Sequence, residues 1–362
     1  MNILIITPIK TGVYKDDTEM FCEGLEKYCG HNVRKLLMWE EKGKTYSNEK
    51  ISKDIFKNID VIWAPYEPLI PFAIKFKQAF KIPVVGHFEI LPPYKIFPDL
   101  YILFKFANMN DPPATNYMFT HLLKYKRYIK YFLSCNVKSV TGPEVVYGME
   151  KLIGGRIDSS EFFIKPYPLD TELLEKYRQK DIKEKNQILH IDRLNEYKRV
   201  KHILEAMTFI DNPPKLIIAG SGILEEELKK FVKEKGLDVE FRGKVSDEEK
   251  VKLIQESMFL VEPCSVLTPN EGAYFKKLSI CYDEHILRER MGDMVYYTAN
   301  NDIPELVKSI RYFINNPEER KKWGENAHYL LMNDKTHSHK LETASKLLNE
   351  MFIEATGGKN DF

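Results

Sequence analysis

The sequence predicts an α/β protein made of two doubly wound domains in tandem. Three observations carry this reading. Short apolar runs alternate with longer helical patterns along nearly the whole chain, as in a parallel sheet covered by helices. The rhythm breaks at Lys165-Pro-Tyr-Pro-Leu-Asp170, where two prolines oppose a helix or a central strand, and then starts again. A length of 362 residues exceeds one ordinary core and suits two domains of about 150–180 residues.

In the first half, apolar and β-branched runs predict strands at Ile3–Ile6, Asn32–Leu36, Val61–Ala64, Pro83–His87 and Val137–Thr141. Helical spacing of apolar residues predicts helices at about Thr18–Tyr28, Pro71–Phe80 and Tyr117–Leu133. The second half predicts strands at Ile188–Ile191, Lys215–Ala219, Val239–Arg242, Met258–Val261, Leu278–Cys281 and Val295–Tyr297. Between them, helices are expected near Val200–Met207, Ile223–Lys235, Asp247–Gln255, Glu271–Lys277 and Ile303–Ile314. A polar stretch, Glu175–Gln187, leads into this half, and a charged, turn-rich segment precedes a last helix at about Ser338–Phe352. The expected domains are residues 1–168, residues 169–337, and a closing segment, residues 338–362, whose helix returns to the first domain and whose end, Gly357–Phe362, is a loose tail. Two such domains are expected to hold a ligand at the carboxyl ends of their strands.

Composition narrows the function. A hydrophobic fraction of 43% with 30% charged residues is that of a soluble globular chain, and a net charge of +1 argues against nucleic-acid binding driven by bulk charge. The five cysteines, Cys22, Cys29, Cys135, Cys264 and Cys281, form no Cys-x-x-Cys pair, so neither a disulfide framework nor a structural zinc site is expected. The opening Met-Asn-Ile-Leu-Ile-Ile-Thr-Pro lacks a basic flank and a small-residue cleavage site, and reads as the first strand. No apolar run approaches the roughly 18–20 residues of a membrane span. A cytoplasmic protein is the expectation.

The most informative stretch is 188–199. An apolar strand ends at Asp192, Arg193 follows, and Lys198 stands just before an amphipathic helix. Two fixed cations beside a helix start suit a diphosphate, with a planar fork from Arg, a point charge from Lys and partial positive charge from the helix. A solvated basic loop explains the same residues. Gly220-Ser-Gly222 and Gly243 sit at strand ends, where they either turn the chain or let backbone approach a ligand. Thr268-Pro-Asn-Glu271 has the form of a helix start, with Thr268 as N-cap and Glu271 closing a capping box. His87 and Glu89, two apart at a strand end, share one face and are candidates for acid–base work; a structural histidine is the plain alternative. His121–Phe132 interleaves aromatic and basic residues, with Lys124, Arg127 and Tyr131 on one helical face. That face suits anionic lipid or base stacking, or simply a helix that packs its aromatics inward and exposes its lysines.

Taken in order, these segments resemble a GT-B glycosyltransferase of family 4 (group 1). Asp192-Arg-Leu-Asn-Glu-Tyr-Lys198 stands where that family has Gly-Arg-Leu…Lys-Gly. Leu216-Ile-Ile-Ala-Gly-Ser-Gly222 resembles its strand ending in Gly-x-Gly, and Val239-Glu-Phe-Arg-Gly-Lys-Val245 its Val-x-Phe-x-Gly-x-Val turn. Ile280–Glu289 resembles the strand and helix after its acidic motif. Looser matches in the first half are Thr11-Gly-Val13, Gly30-His-Asn-Val33 and Pro166-Tyr-Pro-Leu-Asp-Thr-Glu172.

The resemblance implies two Rossmann-like domains that close about the Pro166–Asp170 segment, and transfer of a sugar from a nucleotide-diphosphate sugar, UDP- or GDP-linked. The acceptor would be a glycan, a lipid-linked sugar or a small molecule. Retention at the anomeric carbon, without a metal or other cofactor, goes with it. Arg193, Lys198 and Gly12 would bind the diphosphate; Glu271, Gly243, Val245 and Gly220 the base and ribose; Glu262 or Asn270 the donor sugar; His87 and Glu89 the reacting sugar and acceptor. The implied partners are the nucleotide sugar and its acceptor, with peripheral contact to an anionic inner membrane surface and no nucleic acid. One departure stands out. Pro263 occupies the place of a glutamate that touches the donor sugar, and Pro263-Cys-Ser-Val-Leu-Thr-Pro-Asn270 replaces a glycine-rich loop. Two rival functions therefore stay open, a catalytically silent GT-B domain acting as a binding or scaffold protein, and a nucleotide-sugar epimerase.

Overall fold

A computed structural model describes residues 1–7, 17–41, 44–47, 51–88, 125–158, 160–333 and 338–358. The chain forms two compact units, one running to Pro166 and resuming at Glu342, the other spanning Tyr167–Leu341.

The first unit is built on a seven-stranded sheet of order β3-β2-β1-β4-β5-β6-β7. Its strands are β1 (Asn2–Thr7), β2 (Asn32–Glu41), β3 (Lys44–Ser47), β4 (Val61–Ala64), β5 (Val84–Phe88), β6 (Val137–Val140) and β7 (Phe162–Ile164). All pair in parallel except β3, which runs antiparallel to β2 at the edge. Side chains of β1 alternate between two cores. Leu4 and Ile6 pack with Ile62, Phe88 and Phe132, while Ile3 and Ile5 pack with Phe21, Trp63, Leu348 and Phe352. The second of these cores is closed by the chain's last helix, Leu341–Ala355, whose Phe352 ring meets Trp63 edge-on at 6.0 Å. His31 Nε2 bonds Asn349 Oδ1 at 2.6 Å on the same helix.

The second unit carries a six-stranded, all-parallel sheet of order β11-β10-β9-β12-β13-β14. The strands are β9 (Gln187–Ile191), β10 (Lys215–Ala219), β11 (Val239–Gly243), β12 (Phe259–Val261), β13 (Ser279–Tyr282) and β14 (Tyr296–Thr298). Numbered along the chain, the six strands lie side by side in the order 3-2-1-4-5-6, so the direction of winding reverses between β9 and β12. In such sheets ligands bind outside the carboxyl ends of the two strands flanking that reversal.

The expected α/β fold of doubly wound sheets is what the chain adopts, and the expected strands lie within a residue or two of those found, although β2 runs on to Glu41. Four local expectations need correction. The charged segment before the last helix contains a helix, Pro317–Met332, whose buried positions are only Gly324, Ala327 and Leu331. So narrow a stripe of mostly small residues leaves little periodic signal. Residues Thr171–Tyr177, which run into the expected polar stretch Glu175–Gln187, form a helix capped by Asp170, whose carboxylate accepts the Leu173 N–H at 3.0 Å. The double-proline break holds a short strand, β8 (Tyr167–Leu169), paired among the described residues only with β15 (Ser338–Lys340); an isolated pair tolerates Pro168 because each strand needs ladder bonds on one side alone. The last helix therefore starts at Leu341, three residues after the expected Ser338. Of the expected helix Tyr117–Leu133, residues 125–132 are helical and the rest before it lies outside the described residues.

Candidate functional site

The loop that follows β9 lies at the reversal point of the second sheet. Its path is fixed by backbone bonds from Asp192 N–H to the Ala219 carbonyl (3.1 Å) and from Leu194 N–H to the Ser221 carbonyl (3.1 Å). These draw the β10 turn against it so tightly that a Cβ at Gly220 would stand 1.9 Å from the Asp192 carbonyl oxygen, and one at Gly222 2.2 Å from that of Leu194. Gly220 also has φ +139°. The Gly-x-Gly pair is thus required by the close approach of two backbones, and it sets where Asp192–Leu194 run.

Asn195 Oδ1 accepts the Lys198 N–H at 3.1 Å and turns the loop toward the helix Val200–Met207. Arg199 makes the junction with φ +56°, a conformation usually left to glycine. Its guanidinium is held by Asn301 Oδ1 (2.5 Å), the Tyr197 carbonyl (2.8 Å) and the Glu284 carboxylate (3.4 Å). Arg193 is exposed. Lys198 is nearly buried: its ammonium donates to Asp192 Oδ2 at 2.6 Å and to the Cys264 carbonyl at 2.8 Å. Cys264 lies in the loop after β12, so the two strands flanking the reversal both contribute to holding this cation. Burial pushes the Cys264 thiol up to about 12, which leaves it an inert neutral group.

Glu262, a candidate from the sequence for the donor sugar, is enclosed by protein. It is 0% exposed, accepts the Ile191 N–H on Oε1 at 2.7 Å, and lies 3.2 Å from His190 Nδ1 through Oε2. Burial raises its carboxyl pKa. Burial also works to lower that of His190, but the Glu262 carboxylate outweighs it and the histidine is raised as well. His190 Nδ1 additionally lies 2.9 Å from the Val261 carbonyl. Thr268 is not an N-cap: its helix runs Leu267–Tyr274, and its hydroxyl donates to the Ile191 carbonyl at 3.0 Å. The expected start at Glu271 is therefore four residues late, because the Thr-Pro-x-Glu pattern serves a tertiary bond instead of a cap. Glu271 does not close a capping box. It accepts from Lys250 Nζ at 2.7 Å, and Lys250, though burial would lower it, is raised by this carboxylate and by Asp247. Asn270, the other candidate for the sugar, is buried in the same helix.

Gly243 has φ +61° with open space where a side chain would be, and its carbonyl accepts the Gly220 N–H at 2.7 Å. Val245 is buried. In the first unit His87 is fully buried on β5, with Nδ1 3.0 Å from Ser139 Oγ on β6. Glu89 and Gly12 lie outside the described residues. The structure thus places Arg193 and Lys198 on the loop against which the Gly220–Gly222 turn packs, bonds Gly243 to Gly220, and puts Glu271 on the helix that follows β12. Sequence reasoning passed over Lys250, read Thr268 only as a helix cap and Asp192 only as the end of a strand. Only Asp192 carried a signal, as an acidic residue where the resembled family has glycine.

All five cysteines are free. Among the described residues no group of three or more His, Cys, Asp or Glu side chains is arranged to hold a metal ion, and no helix is long and apolar enough to cross a membrane. In the helix at 125–132, Ile129 and Phe132 are buried while Lys126, Arg127 and Lys130 are exposed, and Arg127 stacks over the Tyr131 ring at 5.8 Å. The inward-packing reading accounts for these residues; Lys124 lies outside those described.

Comparison with known proteins agrees with the architecture. Residues 174–329 match the family described as Glycosyl transferases group 1. No curated protein sequence matches. Among solved structures, the chain is similar to sucrose-phosphate synthase from Thermosynechococcus elongatus at TM-score 0.74 and 12% identity, covering 99% of this chain and 100% of that one. It is similar to Anabaena HepE, solved in complex with UDP, at TM-score 0.69 and 14% identity, covering 97% and 99%. A glycosyltransferase from Rickettsia africae gives TM-score 0.66 at 14% identity, covering 99% of each chain. The fold is that of the GT-B glycosyltransferases.

Proposed function

Starting from a GT-B chain whose residues 174–329 match the group 1 glycosyl transferases, we propose that it moves a sugar from a nucleotide-diphosphate sugar to an acceptor. One observation carries this reading. Arg193 and Lys198 sit at the reversal point of the second sheet, where a parallel sheet presents its ligand site, and the Gly220–Gly222 turn fixes the loop that bears them. Two cations there neutralise charge that grows on the diphosphate as the glycosidic bond breaks, without a metal ion. Glu271, steadied by Lys250, offers its carboxylate to ribose hydroxyls. UDP is the favoured nucleotide, since HepE was solved with UDP and with UDP-glucose, and the S. aureus protein TarM with UDP. We further propose retention at the anomeric carbon, a glycan or lipid-linked acceptor served from the first unit by His87 or Glu89, and work in the cytoplasm, with Lys126, Arg127 and Lys130 available to an anionic membrane.

A second reading, a binding protein that holds the nucleotide sugar without transferring it, is favoured by Glu262. Its carboxylate is committed to Ile191 and His190, and is thereby withdrawn from a donor sugar. A thermal-shift panel of UDP-, GDP- and ADP-sugars tests the donor site, and release of free nucleotide separates the readings. Stabilisation by one donor, lost in Arg193→Ala and Lys198→Ala, with turnover on an acceptor supports the transferase. Stabilisation without hydrolysis or transfer supports the binding protein. If no nucleotide sugar raises the melting temperature, both fail.

A further inference from the structure

The cation placed to meet the diphosphate already holds an anion of the protein's own. Asp192 Oδ2 lies 2.6 Å from Lys198 Nζ, and the two side chains are 13% and 12% exposed, so solvent screens the pair only in part. Asp192 is itself fixed: its Oδ1 accepts the Arg193 N–H at 2.7 Å, and its backbone is bonded to Ala219 and packed on Gly220. The carboxylate therefore stays within the loop when Lys198 is engaged elsewhere. It directly precedes Arg193 in the chain and lies against Lys198 in space.

We propose that Asp192 is a resident counter-anion of Lys198 that tunes this site to bind the nucleotide sugar and to let go of the nucleoside diphosphate. The inference rests on the donor-site reading above and deepens it. A diphosphate has to share Lys198 with Asp192 or displace it, and in either case meets a fixed negative charge. A nucleotide sugar brings two negative charges on its diphosphate. The nucleoside diphosphate left after transfer has a terminal phosphate whose second proton is lost near pH 6, and so carries about one more at neutral pH. Asp192 opposes the product more strongly than the donor. Its effect falls on product release, a step that limits turnover in many enzymes. Asp192 is thus a specificity-determining residue that acts through Lys198.

The test is calorimetric binding of UDP and UDP-glucose, with the GDP and ADP pairs in parallel, to the full chain at neutral pH and low salt. Wild type, Asp192→Asn, Asp192→Ala, Lys198→Met and the double variant Asp192→Asn/Lys198→Met are compared, each checked by its melting temperature. Removing the carboxylate is expected to tighten the nucleoside diphosphate about tenfold, about 1.4 kcal/mol, and the nucleotide sugar only about threefold. The gain is expected to vanish in the Lys198→Met background, the non-additivity that marks a direct pair. Unchanged or weaker binding by both folded Asp192 variants, beside a wild type that binds, overturns the inference and leaves the donor site standing. So does a gain that persists without Lys198, or one equal for donor and product. If none of the nucleotides binds any of the proteins, the donor-site reading fails and the inference with it.

Discussion

Glu262 Oε1 accepts the backbone N–H of Ile191 at 2.7 Å, which ties the last residue of β9 to the residue after β12. Thr268 grips the carbonyl of the same Ile191 from the other side at 3.0 Å. Ile191, the residue immediately before Asp192 and Arg193, is thus bonded at both its N–H and its carbonyl to side chains that follow β12. These bonds hold the cation-bearing loop in place.

Removing this tie is expected to be costly. Glu262→Ala leaves the Ile191 N–H and the His190 ring buried without their partner, a loss of about 3–5 kcal/mol by analogy with broken buried pairs. Glu262→Gln keeps an acceptor for Ile191 and is expected to lose less. Chemical denaturation of the two variants measures the difference. An alanine variant as stable as wild type would show that the pair contributes nothing.

The same pair predicts a pH dependence. His190 and Glu262 both have folded pKa values above their ordinary 6.5 and 4.5, so the folded chain holds their protons more tightly than the unfolded chain. The Glu262 share of that stability is complete below about 4.5 and the His190 share below about 6.5, and each is lost as pH rises through its raised folded value. Asp192, 3.2 Å-paired Glu262 and the Cys281 thiol are the titratable groups bearing on this site, and Cys281 is raised well above 9.0 by burial, so it stays neutral across the window. Unfolding midpoints taken from pH 5 upward are expected to fall more steeply above about 6.5 in wild type than in His190→Gln/Glu262→Gln. Parallel curves would remove the pair as the cause.

The two glycine types predict opposite responses. Gly220→Ala and Gly222→Ala drive a methyl into the Asp192 and Leu194 carbonyls, contacts of 1.9 and 2.2 Å that neither backbone can yield without moving the cation loop. Each is expected to cost at least about 2 kcal/mol and to weaken nucleotide binding in step with that shift. Gly243→Ala meets open space and bears only the strain of its φ of +61°, about 1 kcal/mol. Melting temperatures and UDP affinity of the three variants read this directly. Equal losses at all three would mean that the close approach is not what fixes the loop.

Most of the strands were legible because they bury side chains on both faces. Val61–Ala64 and Lys215–Ala219 end where their apolar runs end, and the run before Asp192 points to the site itself. What stayed hidden depends on partners distant in sequence. Thr268 reads as a cap until Ile191, 77 positions away, is seen to accept its hydroxyl. Lys250 and Glu271 sit on different helices, 21 positions apart, so their ion pair leaves no local spacing signal. Asp192 and Lys198 are only six apart, but their pairing requires the turn that Asn195 makes by capping Lys198. The helix Pro317–Met332 was missed for another reason. It meets the protein through Gly324, where a Cβ would stand 1.9 Å from the Lys276 carbonyl, and a small-residue contact looks like a break in an apolar pattern.

The last helix gives a prediction outside the site. Phe352 is fully buried and meets Trp63 edge-on, on the face of the first sheet that also carries Ile3, Ile5 and Phe21. Phe352→Ala removes an aromatic ring from this core and is expected to cost about 3–5 kcal/mol, with a matching change in the near-ultraviolet signal of Trp63. Tyr329→Ala, at an exposed aromatic of the helix Pro317–Met332, is expected to cost less than about 0.5 kcal/mol, the range of ordinary surface changes. Denaturant midpoints decide the comparison. If Phe352→Ala is as mild as Tyr329→Ala, the closing helix is not part of the first unit's core, and its residues add little to the stability of that sheet.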